Sequence, residues 1–133
     1  MADLSGRHLV YGDHEQLATA VRNLVENAIN YSDEGQTVGV GIKSDDDWCT
    51  ISVKDDGTGI SQDDQKRLFE RFYRVDPSRS RQTGGTGLGL SIVKHIAENH
   101  HGSVEVASVP GRGSTFSLVI PSAKQFKSEG NEN

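Results

Sequence analysis

The sequence predicts an α/β two-layer sandwich, with a mixed, mostly antiparallel sheet covered on one face by about three helices. Two observations lead to this fold class. Segments with apolar residues at helical spacing are separated by short segments in which apolar residues alternate with polar ones. The alternating segments come in consecutive pairs joined by turn residues, which favours hairpins within one sheet. At 133 residues the chain is long enough for a single domain with one core.

The composition excludes several kinds of protein. An apolar fraction of 33%, with 15 glycines and 25% charged residues, indicates a small core carrying glycine-rich surface loops. A net charge of -5 disfavours nucleic acid as a partner. Cys49 stands alone, so we expect no intrachain disulfide, no cysteine zinc site and a reducing compartment. No window approaches the run of about 20 apolar residues that spans a bilayer, and Met1 to Gly6 lacks the features of a signal peptide, so we expect no direct membrane contact.

A short strand over residues 7–11 is expected to precede the first helix. Asp13 is a suitable N-cap for that helix, and Gln16 stands at the capping-box position. Helical spacing continues to about Tyr31. The residues that recur on the predicted core face are Leu17, Val21, Leu24 and Ala28.

A second, polar stripe runs along the same helix. Asn23, Asn27 and Asn30 are spaced i, i+4 and i+7, so their amides project from one side. For any one asparagine an exposed, solvated position is the simplest interpretation. Because the three asparagines share one stripe, the pattern favours a functional role over simple exposure to solvent.

Two strands follow, over residues 37–43 and 48–54, joined by an acidic hairpin tip at 45–47. The second strand leads directly into a glycine-containing segment. Ser61 is expected to cap a second helix, with Asp64 at its third position, and this helix is predicted to extend to roughly Phe72.

The last third of the chain predicts a loop, a helix and a hairpin. Residues 75–85 have no period of either kind, and a loop of this length is typical of a lid or a binding segment. Helical spacing resumes over 87–101, with Gly102 at the C-terminal cap position. Strands over 103–107 and 114–120 then flank a turn. We expect the domain to comprise residues 1–121 and the polar tail 122–133 to be frayed.

Three glycine segments carry the chemistry: Asp55–Gly59, Gly85–Leu90 and Gly111–Gly113. Closely spaced glycines let backbone N–H groups approach an anion. The second segment also opens a helix, whose N-terminus attracts phosphate. Neither a P-loop motif nor a Rossmann fingerprint is present. The third segment, taken alone, is more typical of a tight turn.

In their order along the chain, from about residue 7 to 121, these motifs resemble the catalytic and ATP-binding domain of bacterial two-component sensor histidine kinases. That family belongs to the superfamily of gyrase, heat-shock chaperone and mismatch-repair ATPases. The resemblance implies a Bergerat-type ATP-binding fold, ATP and Mg²⁺ as cofactors, and an ATP lid at about residues 75–86.

The segment from Asn23 to Ala28 is similar to the N box of the family, in which Asn27 would be the Mg²⁺ ligand. Mg²⁺ keeps several waters and substrate phosphates, so one amide oxygen can suffice. Asn23 occupies the position where the superfamily's ATPases carry a Glu that activates water. An amide cannot act as a base, so hydrolysis should be slow. Glu26 is a second candidate for polarising the acceptor, and Asn30 departs from the commoner Lys of the family.

The resemblance also assigns the base and phosphate contacts. Asp55 would accept a hydrogen bond from the adenine amino group, and Tyr31 would lie against the ring, although core packing is an equal alternative for Tyr31. The segment 69–74 looks like the F box, and Arg74, a catalytic candidate with Glu26, and Arg79 would contact the γ-phosphate. The cofactor-binding set is Asn23, Asn27, Asn30, Tyr31, Asp55, Gly57, Gly59, Ile60, Tyr73, Arg74, Arg79, Gly85, Thr86, Gly87, Leu88, Gly89, Leu90 and Thr115, with Thr115 closing the base pocket.

No acceptor histidine is expected in this chain. His14 to Leu17 begins like the acceptor pattern of the family but lies at the start of the N-box helix. For His100 and His101 we expect surface or cap roles. The resemblance therefore implies that the acceptor lies on a dimerisation domain of the same parent protein, that the parent acts on a response regulator, and that this chain is a cytoplasmic domain of an inner-membrane sensor. Two alternatives stay open, an anti-sigma-type serine/threonine kinase and a non-catalytic nucleotide-binding module.

Overall fold

The computed structural model describes residues 10, 12–32, 35–71 and 89–123. Its elements are α1 (His14–Tyr31), β1 (Val38–Ser44), β2 (Trp48–Asp55), α2 (Gln62–Gln65), α3 (Gly89–Asn99), β3 (Ser103–Val109) and β4 (Gly113–Pro121). This order confirms the predicted one for the described part. Of the short strand predicted before α1, only Val10 is described, and it forms an isolated antiparallel bridge with Ser122.

The four strands form one sheet in the order β1-β2-β4-β3. Every pairing between them is antiparallel, so the mixed character that was predicted is not found among the described strands. β1 and β2 form one hairpin, and β3 and β4 form another. The two hairpins meet where β4 pairs with β2, so β1 and β3 are the edge strands of the described sheet. The two central strands meet with Val53 opposite Phe116.

α1 and α3 cover one face of this sheet, which confirms the two-layer sandwich. Burial alternates along β4, where Phe116, Leu118 and Ile120 lie beneath the helices while the residues between them are half-buried. Leu24 of α1 and Val93 of α3 are fully buried against them. The predicted core face of α1 is confirmed, since Leu24 and Ala28 are buried and Leu17 and Val21 pack against the same cluster.

At the N-terminus of α1, one of the two hydrogen bonds of the predicted capping box is present. The Asp13 carboxylate accepts the backbone N–H of Gln16 at 3.1 Å. The reciprocal half of a capping box is missing, because the backbone N–H of Asp13 donates to Nε2 of His100 at 3.0 Å instead. The Gln16 side-chain oxygen is buried and has no hydrogen-bond partner among the described residues.

The second helix is shorter than predicted. Ser61 caps it as expected, with its hydroxyl accepting the N–H of Asp64 at 3.1 Å, but α2 ends at Gln65. The chain then continues in turns, with the N–H of Glu70 donating to the carbonyl of Arg67 at 3.0 Å. This path buries Leu68 in the core.

The left-handed residue that follows α3 lies one position before Gly102, the residue predicted for this role. His101, not Gly102, takes the left-handed conformation, with φ 62°. The N–H of Gly102 bonds to the carbonyl of Ala97 at 2.8 Å, and the N–H of His101 to that of Glu98 at 3.1 Å. These two bonds form a Schellman motif with His101 at C′. Gly102 is needed for a different reason, because a Cβ there would lie 2.0 Å from the carbonyl oxygen of Val119.

The domain extends past its predicted end at residue 121. Ser122 is buried, and its backbone N–H donates to the carbonyl of Asp47 at 2.9 Å. Its hydroxyl donates to the carbonyl of Asp46. Ser122 is therefore part of the folded domain and not of a frayed tail. None of the described helices is long and apolar enough to cross a bilayer.

Candidate functional site

The asparagine stripe of α1 lies on the flank of the helix, beside the core-facing residues. Asn23, Asn27 and Asn30 are all half-buried. A Cβ built on Gly89 would lie 3.9 Å from Cγ of Asn23, so the first residue of α3 faces this stripe. The backbone N–H groups at the start of a helix carry partial positive charge and favour an anion. The described part of α3 thus begins next to a row of neutral amides.

Asn27 carries an amide group that the described residues leave unsatisfied. Its Nδ2 atom is buried and has no hydrogen-bond partner among them. Leaving a buried donor unpaired costs about 1–3 kcal/mol. Natural structures keep such groups mainly where a function or an additional polar partner requires them. Glu26, the neighbouring residue in the chain, is exposed.

Asp55 is the last residue of β2 and is only 1% exposed. Its Oδ1 accepts the backbone N–H of Gly57 at 2.9 Å, which holds the carboxylate across the turn that follows the strand. Asp55 stands opposite Val38 at the start of β1 and opposite Ser114 near the start of β4. The carboxylate is therefore held at the end of the sheet where three strands begin or end.

The register of β4 corrects one predicted contact. Residues directly opposite on paired strands share a face, so Ser114 lies on the side of Asp55. Thr115 pairs with Lys54 and points to the other face of the sheet. The structure therefore does not bring Thr115 together with Asp55, and Ser114 takes that place. Alternation with the apolar Phe116 and Leu118 was the signal in the sequence that could have identified Ser114.

Two of the three glycine segments close on each other. The N–H of Gly111 donates to the carbonyl of Thr58 at 2.7 Å. Gly59 has φ +74°, and a Cβ there would lie 2.3 Å from the carbonyl oxygen of Val109. Gly113 has φ +105°, and its Cβ would lie 2.2 Å from the carbonyl oxygen of Asp55. Close backbone packing and turn geometry thus account for these glycines.

A hydrogen-bond network joins this loop to the hairpin of β3 and β4. The N–H of Ile60 donates to Oγ of Ser108 at 2.8 Å, while the Ile60 side chain is buried in the core. The Gln65 side-chain amide donates to the carbonyls of Ile60 at 2.8 Å and Ser108 at 3.2 Å. Ser108, Ser114 and Gln65 were not among the predicted site residues.

Other predicted residues have simpler placements. Tyr31 is the last residue of α1 and Gly89 the first of α3, while Leu90 is buried in the core. Seven predicted contacts lie outside the described residues, namely Tyr73, Arg74, Arg79, Gly85, Thr86, Gly87 and Leu88.

Two side chains with shifted pKa values lie at the opposite end of β2 from Asp55. Hydrogen bonds from the backbone N–H groups of Trp48 and Asp47 lower the pKa of Asp45, in the hairpin tip. Burial raises the pKa of the Cys49 thiol. Neither group is part of the candidate site.

The family comparison agrees with this arrangement. A family model described as "Histidine kinase-, DNA gyrase B-, and HSP90-like ATPase" matches residues 12–124. The chain is 53% identical over 123 residues to the sensor-like histidine kinase SenX3 of Mycolicibacterium smegmatis, covering 92% of this chain and 32% of that protein. It is 42% identical over 118 residues to the phosphate regulon sensor protein PhoR of Pseudomonas aeruginosa, covering 89% of this chain and 27% of that protein.

Solved structures show the same fold. The mycobacterial sensor histidine kinase MprB superimposes with a TM-score of 0.73 at 33% identity, over 85% of this chain and 74% of that one. Full-length ShkA in complex with AMPPNP superimposes with a TM-score of 0.73 at 30% identity, over 88% of this chain and 24% of that one. The chain spans 32% and 27% of the length of the curated relatives SenX3 and PhoR.

Proposed function

Because this chain belongs to the histidine kinase-, DNA gyrase B- and HSP90-like ATPase family, we propose that it binds Mg-ATP and supplies the γ-phosphoryl group to a histidine on a separate phosphoacceptor domain. The matched relatives are named as sensor histidine kinases or sensor proteins, and the matched ShkA structure contains AMPPNP. The parent protein would supply the acceptor domain and act on a response regulator. In this proposal the chain is a cytoplasmic domain of an inner-membrane sensor.

The observation that carries the proposal is the pairing of the asparagine stripe with the start of α3. Gly89 lies beside Asn23, and Asn27 retains a buried amide atom with no partner in the described part of the chain. Neutral amide oxygens suit Mg²⁺, which takes most of its ligands from water and phosphate. The amide oxygen of Asn27 is the atom that would hold the ion, while its unpaired Nδ2–H donors suit a phosphate oxygen. Bound Mg²⁺ would neutralise part of the charge on the phosphates.

Asp55 supports adenine as the base. A carboxylate accepts hydrogen bonds only, and this one is buried and held by the N–H of Gly57. An adenine amino group can donate to it, whereas the carbonyl at the same position of guanine cannot. The proposed role of Asp55 is therefore to select ATP over GTP.

The transfer step needs no base from Asn23. A neutral imidazole nitrogen of the acceptor attacks the γ-phosphorus, the bond from that phosphorus to the β–γ bridging oxygen breaks, and ADP leaves with the electron pair. Asn23 cannot remove a proton from water, so the competing hydrolysis lacks a catalyst at this position.

Other residues are proposed to act on the acceptor and on the phosphates. Glu26 is exposed and therefore accessible to a docked acceptor, whose imidazole it would polarise. Arg74 and Arg79 remain the proposed contacts of the γ-phosphate, and Thr86 with the N–H groups of 87–90 the proposed contacts of the other phosphates.

Calorimetric titration of the chain with Mg-ADP tests the nucleotide site. We expect Asn27→Ala and Asp55→Asn each to weaken binding by more than about tenfold, the loss of one charge-assisted contact. Asn99→Ala and Glu105→Gln are matched controls, because both residues are exposed and lie away from Asp55. Unchanged affinity in both site variants would contradict the proposal.

A phosphotransfer assay tests the reaction. The chain is incubated with Mg-[γ-³²P]ATP and an isolated acceptor-histidine dimerisation domain from a matched relative. We expect a label on the acceptor that acid removes, as for phosphohistidine. An acid-stable label would point to serine or threonine transfer, and binding of ATP without any transfer would point to a non-catalytic module.

A further inference from the structure

Ser108 of β3 is half-buried and is the centre of a small hydrogen-bond network next to Asp55. Its Oγ accepts the backbone N–H of Ile60 at 2.8 Å. The same hydroxyl donates to the carbonyl of Gly113 at 2.9 Å. Its third contact is the hydroxyl of Ser114, with the two Oγ atoms 2.8 Å apart.

The direction of the hydrogen bond between the two serines follows from the other two contacts. A serine hydroxyl has one proton and two lone pairs. The carbonyl of Gly113 can only accept, so it takes the proton of Ser108. The N–H of Ile60 can only donate, so it takes one lone pair. Ser114 must then donate to the remaining lone pair, and its own oxygen is left with lone pairs only.

Ser114 presents those lone pairs on the side of the sheet that carries Asp55. The two residues are directly opposite in the register of β2 and β4, and they are 3% and 1% exposed. Side chains in such pairs have Cβ atoms about 4.5–5.5 Å apart. An ionised carboxylate is also an acceptor only. With Asp55 ionised, this pair offers acceptors and no donor.

We propose that Ser108 is a specificity-determining positioning residue, which holds Ser114 as an acceptor and so favours a base with an amino group over one with a carbonyl at the same position. A 6-amino group has two N–H donors, one for each acceptor. A 6-oxo purine would place its lone pairs against those of Ser114 and Asp55. This inference rests on the proposed function, namely that an adenine nucleotide binds at Asp55.

The test compares the affinities of Mg-ADP and Mg-IDP, whose bases differ at position 6, an amino or an oxo group, and therefore at N1, which accepts in adenine and donates in hypoxanthine. The N1 difference is the same in every variant, so a change in the affinity ratio reports on position 6. Without Ser108 the Ser114 hydroxyl regains a free proton and can donate to the oxo group. We expect Ser108→Ala to lower the ratio of ADP to IDP affinity by about tenfold, the change that one hydrogen bond of ordinary strength produces. Ser108→Thr keeps a hydroxyl and should retain most of the wild-type ratio. A structural role alone would lower stability, or both affinities equally, and an unchanged ratio overturns the proposal.

Ser114→Ala provides a second route that leaves the bond between Ser108 and Ile60 in place. This variant should lower the ratio by itself, and adding Ser108→Ala to it should lower the ratio no further. An unchanged ratio in Ser114→Ala, or a further fall in the double variant, overturns the proposal. Ser117→Ala is the control, because Ser117 pairs with Ser52 at 3.3 Å on the other face of the sheet. Wild-type protein that does not bind Mg-ADP would refute the proposed function itself, whereas binding with these ratios unchanged refutes only the role of Ser108.

Discussion

The described glycines differ in whether a side chain would fit in their place. At Gly59, Gly102 and Gly113 a side chain would meet a backbone carbonyl at 2.3, 2.0 and 2.2 Å, respectively. At Gly39 and Gly41 it would meet nothing within 4 Å. The first three permit close packing between segments, whereas the last two only weaken the edge strand β1.

Gly102→Ala should destabilise the domain by about 2 kcal/mol, because the Cβ forces the end of α3 away from β4. Gly41→Ala is the matched control, and it should be neutral or stabilising by about 0.5–1 kcal/mol, since glycine within a strand carries an entropic cost. The free energy of unfolding in urea measures both. Equal values for the two variants would contradict this account of Gly102.

Asp45 should make stability depend on pH. Its pKa lies below the ordinary aspartate value of 3.8 because its carboxylate accepts the N–H groups of Trp48 and Asp47. A pKa that is lower in the folded state contributes stability above 3.8, and this contribution is lost as the pH falls through the lower folded value. Asp45→Asn should therefore lower the melting temperature at pH 7, and the difference from wild type should shrink in acid. A difference that stays constant with pH would show that the charge has no part in it.

Helices α1 and α3 are tied together by His100. Its Nε2 accepts the N–H of Asp13 at 3.0 Å, and its Nδ1 bonds to the carbonyl of Ile96 at 2.8 Å. The start of α1 is thereby fastened to the end of α3. The sequence predicted a surface or a cap role for this histidine. The side chain is buried, so the surface role is wrong, and the imidazole caps α1 rather than the helix that precedes it.

His100→Ala should cost about 2–3 kcal/mol, because it leaves a void and an unpaired backbone N–H at the first helix. His95→Ala is the control on the same helix, since His95 is exposed, and its effect should stay within about 0.5 kcal/mol. Urea unfolding measures the difference. Amide exchange at Asp13 should also become faster in the His100 variant, and protection that remains unchanged would mean that water replaces the imidazole without loss.

Periodicity predicted the regular elements well because it reports burial along a single element. The strand expected over 37–43 is found at Val38–Ser44, and the helix expected to follow Asp13 and to run to about Tyr31 is found at His14–Tyr31. Periodicity did not predict the length of α2, where burial of Leu68 overrides the helix. It also could not show that β4 lies between β2 and β3, since strand order depends on contacts distant in sequence.

The candidate site is assembled from segments that are far apart in the chain. Asn23, Asp55, Gly89 and Ser114 come from four elements. Sequence motifs, read through the family resemblance, could name most of these residues. They could not show that Gly59 and Gly113 serve backbone contacts, or that Ser108 orients Ser114, because both facts depend on the packing of one loop against another.

Cys49 should report the opening of the whole domain, because it is the single cysteine and lies in a central strand. It is 3% exposed, and burial raises the pKa of its thiol above the ordinary cysteine value of 9.0. Because the thiol pKa is raised in the folded state, the stability that the protonated thiol contributes is present below pH 9.0 and is lost as the pH rises through the higher folded value.

Labelling of Cys49 by a thiol reagent tests whether the whole domain must open. The reagent requires an exposed thiolate, so the labelling rate of the native protein should be lower than that of the unfolded chain by a factor equal to the equilibrium constant of unfolding. Gly102→Ala should speed labelling in proportion to its loss of stability, and saturating Mg-ADP should slow it through binding to the folded state. Labelling that neither change affects would mean that Cys49 is reached by a local opening of β2 that leaves the site intact.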